Sequence, residues 1–197
     1  MSRIPAVKPQ DASPLVRIAY RFARRQFGEV PEPFAVLAHH RKLFVASARH
    51  ELAVQKATHV MPAELIELAV FRTAWTVGCS WCVDFGAMLM RLGDLDIDRL
   101  KEIGSYETSD KFSTDDRLVI AYSDSMTATP TTVTDEQVDE LVERFGNAGV
   151  IELTYQIALE NQRSRMNSAL GITDQGFTSG DACRVPWSTD EPASQRA

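Results

Sequence analysis

Apolar residues recur along most of the chain at the three- and four-residue spacing of amphipathic helices, and no segment shows convincing strand alternation. In the first predicted helix, one stripe is formed by Leu15, Ile18, Ala19, Phe22, Ala23 and Gln26. Helices are predicted over residues 14–27, 34–57 (as one helix or two), 62–75, 79–92, part of 94–112, 113–126, 134–145 and 147–170. The pattern therefore predicts an all-α protein, organised as a helical bundle.

The two helices on either side of Gly78 are the most apolar part of the chain. The helix over residues 62–75 is apolar around most of its circumference, with Pro62 in its first turn, so it is predicted to be buried. A second buried helix is predicted over residues 79–92, with Gly93 as its cap. Two sequences resemble capping boxes and mark later helix starts: Ser113-x-x-Asp116 and Thr134-x-x-Gln137.

Length and composition fit one globular domain. The 197 residues are 44% hydrophobic and 24% charged, which supports a single sizeable core. We predict one all-helical domain over residues 1–172 and an irregular C-terminal arm over residues 173–197. The arm is polar, and its end is predicted to be disordered. Its apolar points are Cys183, Val185 and Trp187.

The charge balance limits the classes of partner. Lys and Arg number 21 against 27 for Asp and Glu, a net charge of -6, so nucleic acid is not an expected partner. The first residues lack the apolar core of a signal peptide, and no stretch approaches the roughly 20 apolar residues of a membrane span. We therefore predict a cytoplasmic protein with no membrane partner.

The clearest candidate for chemistry is the pair Cys79-Ser-Trp-Cys82 at the start of a predicted helix. Sulfurs three residues apart there lie on one side of the helix, within reach of a disulfide. The helix N-terminus favours a thiolate, so the pair is predicted to be a redox-active dithiol. Two alternatives are simple packing of small residues and a zinc site, although a structural zinc site would need further ligands. The third cysteine, Cys183, lies in the arm.

Glu67 is an acid within an otherwise apolar helix segment. If the chain reverses just before Gly78, the two helices form a hairpin in which Glu67 faces Gly86, one turn beyond Cys82. A carboxylate in such low-dielectric surroundings would have a raised pKa, suited to a general base. The alternative is a surface position or an ion pair with Arg72 or Arg91.

Glu67, eleven intervening residues and Cys79-x-x-Cys82 resemble the core motif of the alkylhydroperoxidase D and carboxymuconolactone decarboxylase family. The resemblance covers mainly residues 62–93, and residues 161–171 resemble that family's closing helix. It implies an all-helical fold built on a helical hairpin and assembly as a homotrimer or homohexamer. By motif position it implies that Cys82 attacks a peroxide, Cys79 resolves the sulfenic acid as a disulfide, and Glu67 is the proton-relay acid.

One position departs from the family motif. The redox branch has a histidine four residues after the second cysteine, where this chain has Gly86. Candidate substitutes are Asp84, His39, His40 and Tyr155. Asp84 should point away from the sulfur and interact with the helix start. The histidines are more typical of structural or exposed positions, and Tyr155 of the core.

The leading hypothesis is a thiol-dependent peroxidase or disulfide oxidoreductase that needs no metal or bound cofactor and is restored by an external dithiol. The family's other branch decarboxylates a lactone ring without a cofactor. An alternative is therefore a lyase that uses Glu67 as acid and base on a small carboxylated ring. A third hypothesis is a helical oligomer without enzymatic activity, suggested by the apolar helix over residues 62–75.

Overall fold

The computed structural model describes residues 2–178 and shows helices throughout, with no strand in that range. This confirms the all-α prediction. The α-helices are α1 (Pro14–Phe27), α2 (Glu32–Leu37), α3 (Arg41–Ala57), α4 (Ala63–Val77), α5 (Ser80–Leu92), α6 (Thr114–Thr127) and α7 (Asp135–Leu170), and a 3-10 helix spans Asp98–Ser105. Within the described range, no helix combines the length and apolarity that a membrane span requires.

Helices α4 and α5 form the predicted hairpin at the centre of the fold. Pro62 is the N-cap of α4, one position earlier than predicted, and the helix ends at Gly78. Gly78 has φ 83 and ψ 29, a left-handed conformation that costs glycine little, and the chain reverses there. Cys79 follows at once as the N-cap of α5. The turn therefore fixes the first cysteine at a helix start.

The core surrounds this hairpin, because α4 packs against α5, α6 and α7. Its side chains are almost completely removed from water, so each large apolar side chain among them contributes about 1.5–3 kcal/mol of hydrophobic stabilisation. Fully buried members include Leu68 and Phe71 of α4, Ala87 of α5, Ile120 of α6, and Leu153 and Ile157 of α7.

Both predicted capping boxes are present, at the starts of α6 and α7. The predicted break between residues 145 and 147 is a kink within α7 at Gly146, which has φ 70 and ψ 166. The part of α7 after this kink runs to Gly171, as predicted, and lies against the hairpin. It carries the side chains that reach the cysteines.

The stripe predicted for α1 is wrong for its large side chains, although its member Ala23 is buried. Leu15, Ile18 and Phe22 are 44%, 60% and 63% exposed, whereas Val16 and Tyr20 are buried. The buried face packs on the N-terminal segment and α2, and the Tyr20 hydroxyl donates to the Val7 carbonyl at 3.0 Å. Because α1 has apolar residues on more than one side, periodicity could not select the stripe that meets those segments.

Residues 172–178 are irregular but anchored on the outer side of α5. Ser80 Oγ accepts a hydrogen bond from the Asp174 backbone at 3.3 Å, and the Trp81 indole donates to Gln175 Oε1 at 2.7 Å. The anchoring includes four hydrogen bonds to Asp84. The rest of the predicted arm, including Cys183, Val185 and Trp187, lies outside the described residues.

Candidate active site

Cys79 and Cys82 are joined by a disulfide at the start of α5, with their Cα atoms 5.3 Å apart. Cys79 Sγ accepts the backbone N–H of Cys82 at 3.2 Å, so it serves as the side-chain cap of the helix. The two residues are 2% and 7% exposed. The pair is therefore a buried disulfide, and Cys82 is the more exposed of its two residues.

The side chains of α7 that meet the sulfurs are Ser164 and Asn167. Ser164 Oγ lies 3.4 Å from Cys82 Sγ, and Asn167 Nδ2 lies 3.3 Å from the same sulfur. Asn167 Nδ2 is also 3.8 Å from Cys79 Sγ. Polar hydrogens directed at a sulfur stabilise a thiolate there once the disulfide is reduced. Cys82 has the closer pair of side-chain donors.

Behind Ser164 lies a buried carboxylate, Glu160, one turn earlier on α7. Ser164 Oγ is 2.7 Å from Glu160 Oε1, and Arg163 Nη1 is 3.4 Å from Glu160 Oε2. Burial raises the pKa of Glu160 to about 7, against the attraction of Arg163 and the hydrogen bonds from Ser164 and Arg163. This side chain can therefore gain and lose a proton near neutral pH.

Arg163 links this carboxylate to two other acids. Its guanidinium binds Glu51 of α3, with Nε 3.0 Å from Oε1 and a second, closer contact through Nη2. Burial raises the pKa of Glu67 on α4, and the positive charge of Arg163 partly opposes that rise. The hydrogen bonds that reach the sulfurs within residues 2–178 come from Ser164, Asn167 and the Cys82 backbone. Glu67 is not among those donors and acceptors.

The fold containing this site occurs in several solved structures. The debrominase Bmp8 superposes with a TM-score of 0.77 at 19% identity, covering 89% of this chain and 94% of that one. A peroxidase-related protein from Ralstonia eutropha JMP134, described as an alkylhydroperoxidase D core, gives 0.71 at 18% identity over 89% of this chain and 94% of its own. The chain has the alkylhydroperoxidase D fold. At these identities the likeness concerns the fold.

Sequence comparison gives one curated relative at a greater identity. The uncharacterized protein YnjA of Escherichia coli strain K12 is 28% identical over 163 residues, which covers 83% of this chain and 87% of that protein. The sequence matches no model of a known protein family. The chemistry of this alkylhydroperoxidase D fold must therefore be argued from its own residues.

Gly86, where the family's redox motif has histidine, lies on the α4 side of α5. A Cβ atom built there would meet only a ring carbon of Phe71, at 3.7 Å. Phe71 is one helical turn beyond Glu67 on α4, so the side chain closest to this position is aromatic rather than the predicted carboxylate. The position has space for a small side chain.

The four predicted substitutes for the histidine make contacts away from the sulfurs. His39 Nε2 is 2.8 Å from the Pro5 carbonyl, and His40 Nδ1 accepts the Leu43 backbone N–H at the start of α3. Tyr155, predicted to be a core residue, is 49% exposed and bonds His50 at 2.7 Å. It is exposed because it lies on the side of α7 that faces away from α4.

Asp84 does not act on the helix start as predicted. It is buried, and its two oxygens accept hydrogen bonds from the backbone of residues 175, 177 and 178 and from the Thr178 hydroxyl, at 2.7–3.2 Å. The oxygens are occupied by this segment because α5 turns Asp84 away from α7. Asp84 is therefore an anchor for the C-terminal segment.

The sequence prediction missed Glu160, Ser164 and Asn167. A signal for them exists in the heptad-like spacing of α7, whose buried apolar positions Leu153 and Ile157 are followed on the same face by these polar residues. Polar side chains that continue an apolar stripe are buried, although they do not add to hydrophobic packing, and this marks them as candidates for a functional role. Among residues 2–178, no group of three or more His, Cys, Asp or Glu side chains could hold a metal ion.

Proposed function

We propose that this protein is a thiol-dependent peroxidase or disulfide oxidoreductase in which Cys82 attacks and Cys79 resolves. The observation that carries the proposal is the Cys79–Cys82 disulfide at a helix N-terminus, with Ser164 and Asn167 directed at the second sulfur. The two residues are close enough to form and break a disulfide without moving the backbone. When reduced to two thiols, the pair thus supplies the two electrons of the reaction.

The proposed cycle begins with the reduced pair. The Cys82 thiolate attacks the terminal oxygen of a hydroperoxide, the O–O bond breaks, and the alkoxide leaves as an alcohol after taking a proton. Cys79 then displaces hydroxide from the Cys82 sulfenic acid, releasing water and forming the disulfide. An external dithiol reduces the disulfide and is itself oxidised. Atoms and electrons balance with peroxide as oxidant and the dithiol as reductant.

Two observations support Cys82 as the attacking residue. Ser164 and Asn167 both approach its sulfur within 3.4 Å, whereas Cys79 Sγ caps the helix through a backbone N–H. Cys82 is also the more exposed of the two, at 7%. A nucleophile needs both thiolate stabilisation and access to substrate.

The test is dithiol-dependent turnover of hydrogen peroxide and an organic hydroperoxide by cysteine variants. We expect Cys82→Ser to fall to the uncatalysed rate, and Cys79→Ser to accumulate a Cys82 sulfenic acid that a dione probe labels. Cys183→Ser, which removes the remaining cysteine, is the matched control and should retain full turnover. Full peroxide turnover by Cys82→Ser would contradict the proposal.

A second candidate is reductive dehalogenation, favoured by the likeness to the debrominase Bmp8. A cysteine-to-alanine variant of Bmp8 has been solved in complex with 2,3,4-tribromopyrrole, at a TM-score of 0.76 and 18% identity to this chain. In such a reaction the two thiols would convert an aryl bromide to the arene, forming the disulfide and releasing bromide and a proton. Bromide release from a brominated pyrrole, lost in Cys82→Ser, would identify this substrate.

The lyase alternative makes the opposite prediction for the same variants. If Glu67 alone acts as acid and base on a carboxylated ring, activity on that ring should survive loss of both cysteines and disappear in Glu67→Gln. Peroxide reduction that depends on Cys82 would rule against the lyase as the main activity.

A further inference from the structure

The Ser164 hydroxyl has one proton and two neighbours that could receive it. Its oxygen is 3.4 Å from Cys82 Sγ and 2.7 Å from Glu160 Oε1, and Ser164 is completely buried. A hydroxyl donates only one hydrogen bond but can accept others. In the reduced protein, the hydrogen bonds that connect Cys82, Ser164 and Glu160 can therefore run in either of two directions.

We propose that Ser164 and Glu160 form the proton relay of Cys82, carrying out across the α5–α7 contact the task that a histidine at position 86 would perform. In one arrangement the Cys82 thiol donates to Ser164, which donates to the Glu160 carboxylate. In the other, protonated Glu160 donates to Ser164, which donates to the Cys82 thiolate. This inference rests on the proposed function, because it assigns a route for the proton of that reaction.

The relay both takes up and returns the proton that moves during the peroxide step. The thiol proton moves to Ser164 as the Ser164 proton moves to Glu160, leaving a thiolate and a neutral carboxylic acid. After the thiolate has broken the O–O bond, Glu160 returns its proton to Ser164 while Ser164 donates its own proton to the departing alkoxide, which leaves as an alcohol. The relay ends the step as it began, and no external base is consumed.

Burial and charge around Glu160 suit this exchange. Glu160 is 4% exposed, and its burial holds the neutral acid and the carboxylate close in free energy near neutral pH. The charged groups around it are Arg163 on its own helix, Glu51 from α3, which binds Arg163, and Glu67 from α4, which feels the charge of Arg163. One cation shared by three acids leaves Glu160 incompletely neutralised.

The test uses Ser164→Ala and Glu160→Gln. Alanine removes the hydroxyl with little change in volume, and glutamine keeps a polar group beside Ser164 but cannot take up a proton. Ser123→Ala is the matched control, because Ser123 is also fully buried in a helix and its hydroxyl bonds the Val119 carbonyl of its own helix. If Glu160→Gln fails to fold, Ser164→Ala against Ser123→Ala decides the question.

Two measurements follow on the reduced proteins: the pH dependence of alkylation at Cys82, resolved by mass spectrometry, and the pH profile of peroxide turnover. We expect Ser164→Ala to raise the apparent pKa of Cys82 by about one unit, which slows alkylation at pH 7 about tenfold. Glu160→Gln should instead lower that pKa, because glutamine removes the nearby negative charge and can donate to Ser164 as the protonated acid does. Turnover at pH 7 should fall about 100-fold, as for loss of a general base. The double variant should be no slower than the slower single variant, because the two residues act in series.

An alkylation profile in either variant that coincides with that of Ser123→Ala, while Cys82→Ser is inactive, would overturn the relay and leave the proposed function standing. Full turnover by Cys82→Ser would overturn the proposed function instead. The alkylation profiles would still decide, in that case, whether Ser164 and Glu160 control protonation of this sulfur. Additive losses in the double variant would also contradict a single relay.

Discussion

Helix α5 has a buried carboxylate on either side of it, and the two carboxylates differ in how fully they are hydrogen-bonded. On the outer side Asp84 accepts four hydrogen bonds from residues 175–178, whereas on the inner side Glu160 of α7 receives one from Ser164 and a longer one from Arg163. Burial raises the pKa of Glu160, which has few donors, to about 7, so this carboxylate can change protonation state near neutral pH. Asp84 is thus suited to anchoring and Glu160 to proton transfer.

The surroundings of the two carboxylates strengthen this contrast. Phe85, next to Asp84, packs against Trp81, Phe27 and Phe177 with ring centroids 4.6–5.4 Å apart, an apolar cluster that holds the C-terminal segment against the helix. Glu160 instead borders a chain of charged groups that reaches the half-exposed Glu51. One side of α5 is built for stability and the other can exchange protons.

The largest effect on stability should come from Asp84→Ala. It leaves four donors without their acceptor, so we expect the free energy of unfolding to fall by about 3–4 kcal/mol. Thr178→Val, which removes one of the four hydrogen bonds, should cost about 1 kcal/mol. Denaturant unfolding at neutral pH measures both.

If the two sides of α5 differ in this way, Asp84 should have no influence on the reactivity of the Cys82 thiol. In whatever fraction of Asp84→Ala is folded, the pH profile of Cys82 alkylation should match that of the unaltered protein. A shifted profile would mean that the outer carboxylate also influences the sulfur, and the division between the two sides of α5 would be wrong.

The sequence predicted the hairpin and the cysteine pair well, because both depend on local signals. A long apolar run, a glycine at the reversal and two cysteines one turn apart each determine the structure within a few residues. For the relay group, the sequence predicts that Asp84, two residues from Cys82, points away from its sulfur, and the oxygens of Asp84 bind residues 175–178. It does not indicate which group takes the place beside the sulfur. Ser164 is 82 residues from Cys82 and meets it only through helix packing. Such a contact depends on the rotation of α7 against α5, which periodicity does not specify.

The same limit explains the wrong face of α1. Helix existence and ends were predicted correctly there, with Ser13 capping the start and Gly28 following the end. Which stripe is buried depended on the N-terminal segment, whose Val7 carbonyl binds Tyr20. Around α4 the choice did not arise, because that helix is apolar on most sides. Burial was therefore predicted correctly for α4, which is packed on most of its sides, and not for α1, which is packed on one.

The next effect concerns the pH dependence of stability in the oxidised protein. Burial raises the pKa of Glu160 to about 7 in the folded state, above the 4.5 of an unperturbed glutamate. The folded state therefore binds this proton more tightly, so the resulting stability is complete below about pH 4.5 and is lost as pH rises through about 7. Between pH 5 and 7.5 the unaltered protein should lose about 2–3 kcal/mol more than Glu160→Gln does.

Denaturant unfolding of both proteins at the two pH values gives this difference directly. Glu67, whose pKa is also raised, changes stability in the same direction in both proteins, so it cancels in the comparison. Equal slopes for the two proteins would show that Glu160 does not titrate in this range. Glu160 would then be unsuited to the proposed relay.

The smallest effect, and the sharpest test of which helix supplies the relay, is at Gly86. Alanine there meets only the Phe71 ring at an ordinary contact distance, and it should raise the free energy of unfolding by about 1 kcal/mol because glycine is unfavourable within a helix. If the proton travels through Ser164 and Glu160, Gly86→Ala leaves the turnover and its pH profile unchanged. If water in the space beside Gly86 connects Glu67 to the sulfur, the added methyl group displaces it and slows turnover. If Gly86→Ala is stabilised but turns over more slowly, the relay must be assigned to Glu67 of α4 rather than to Ser164 and Glu160 of α7.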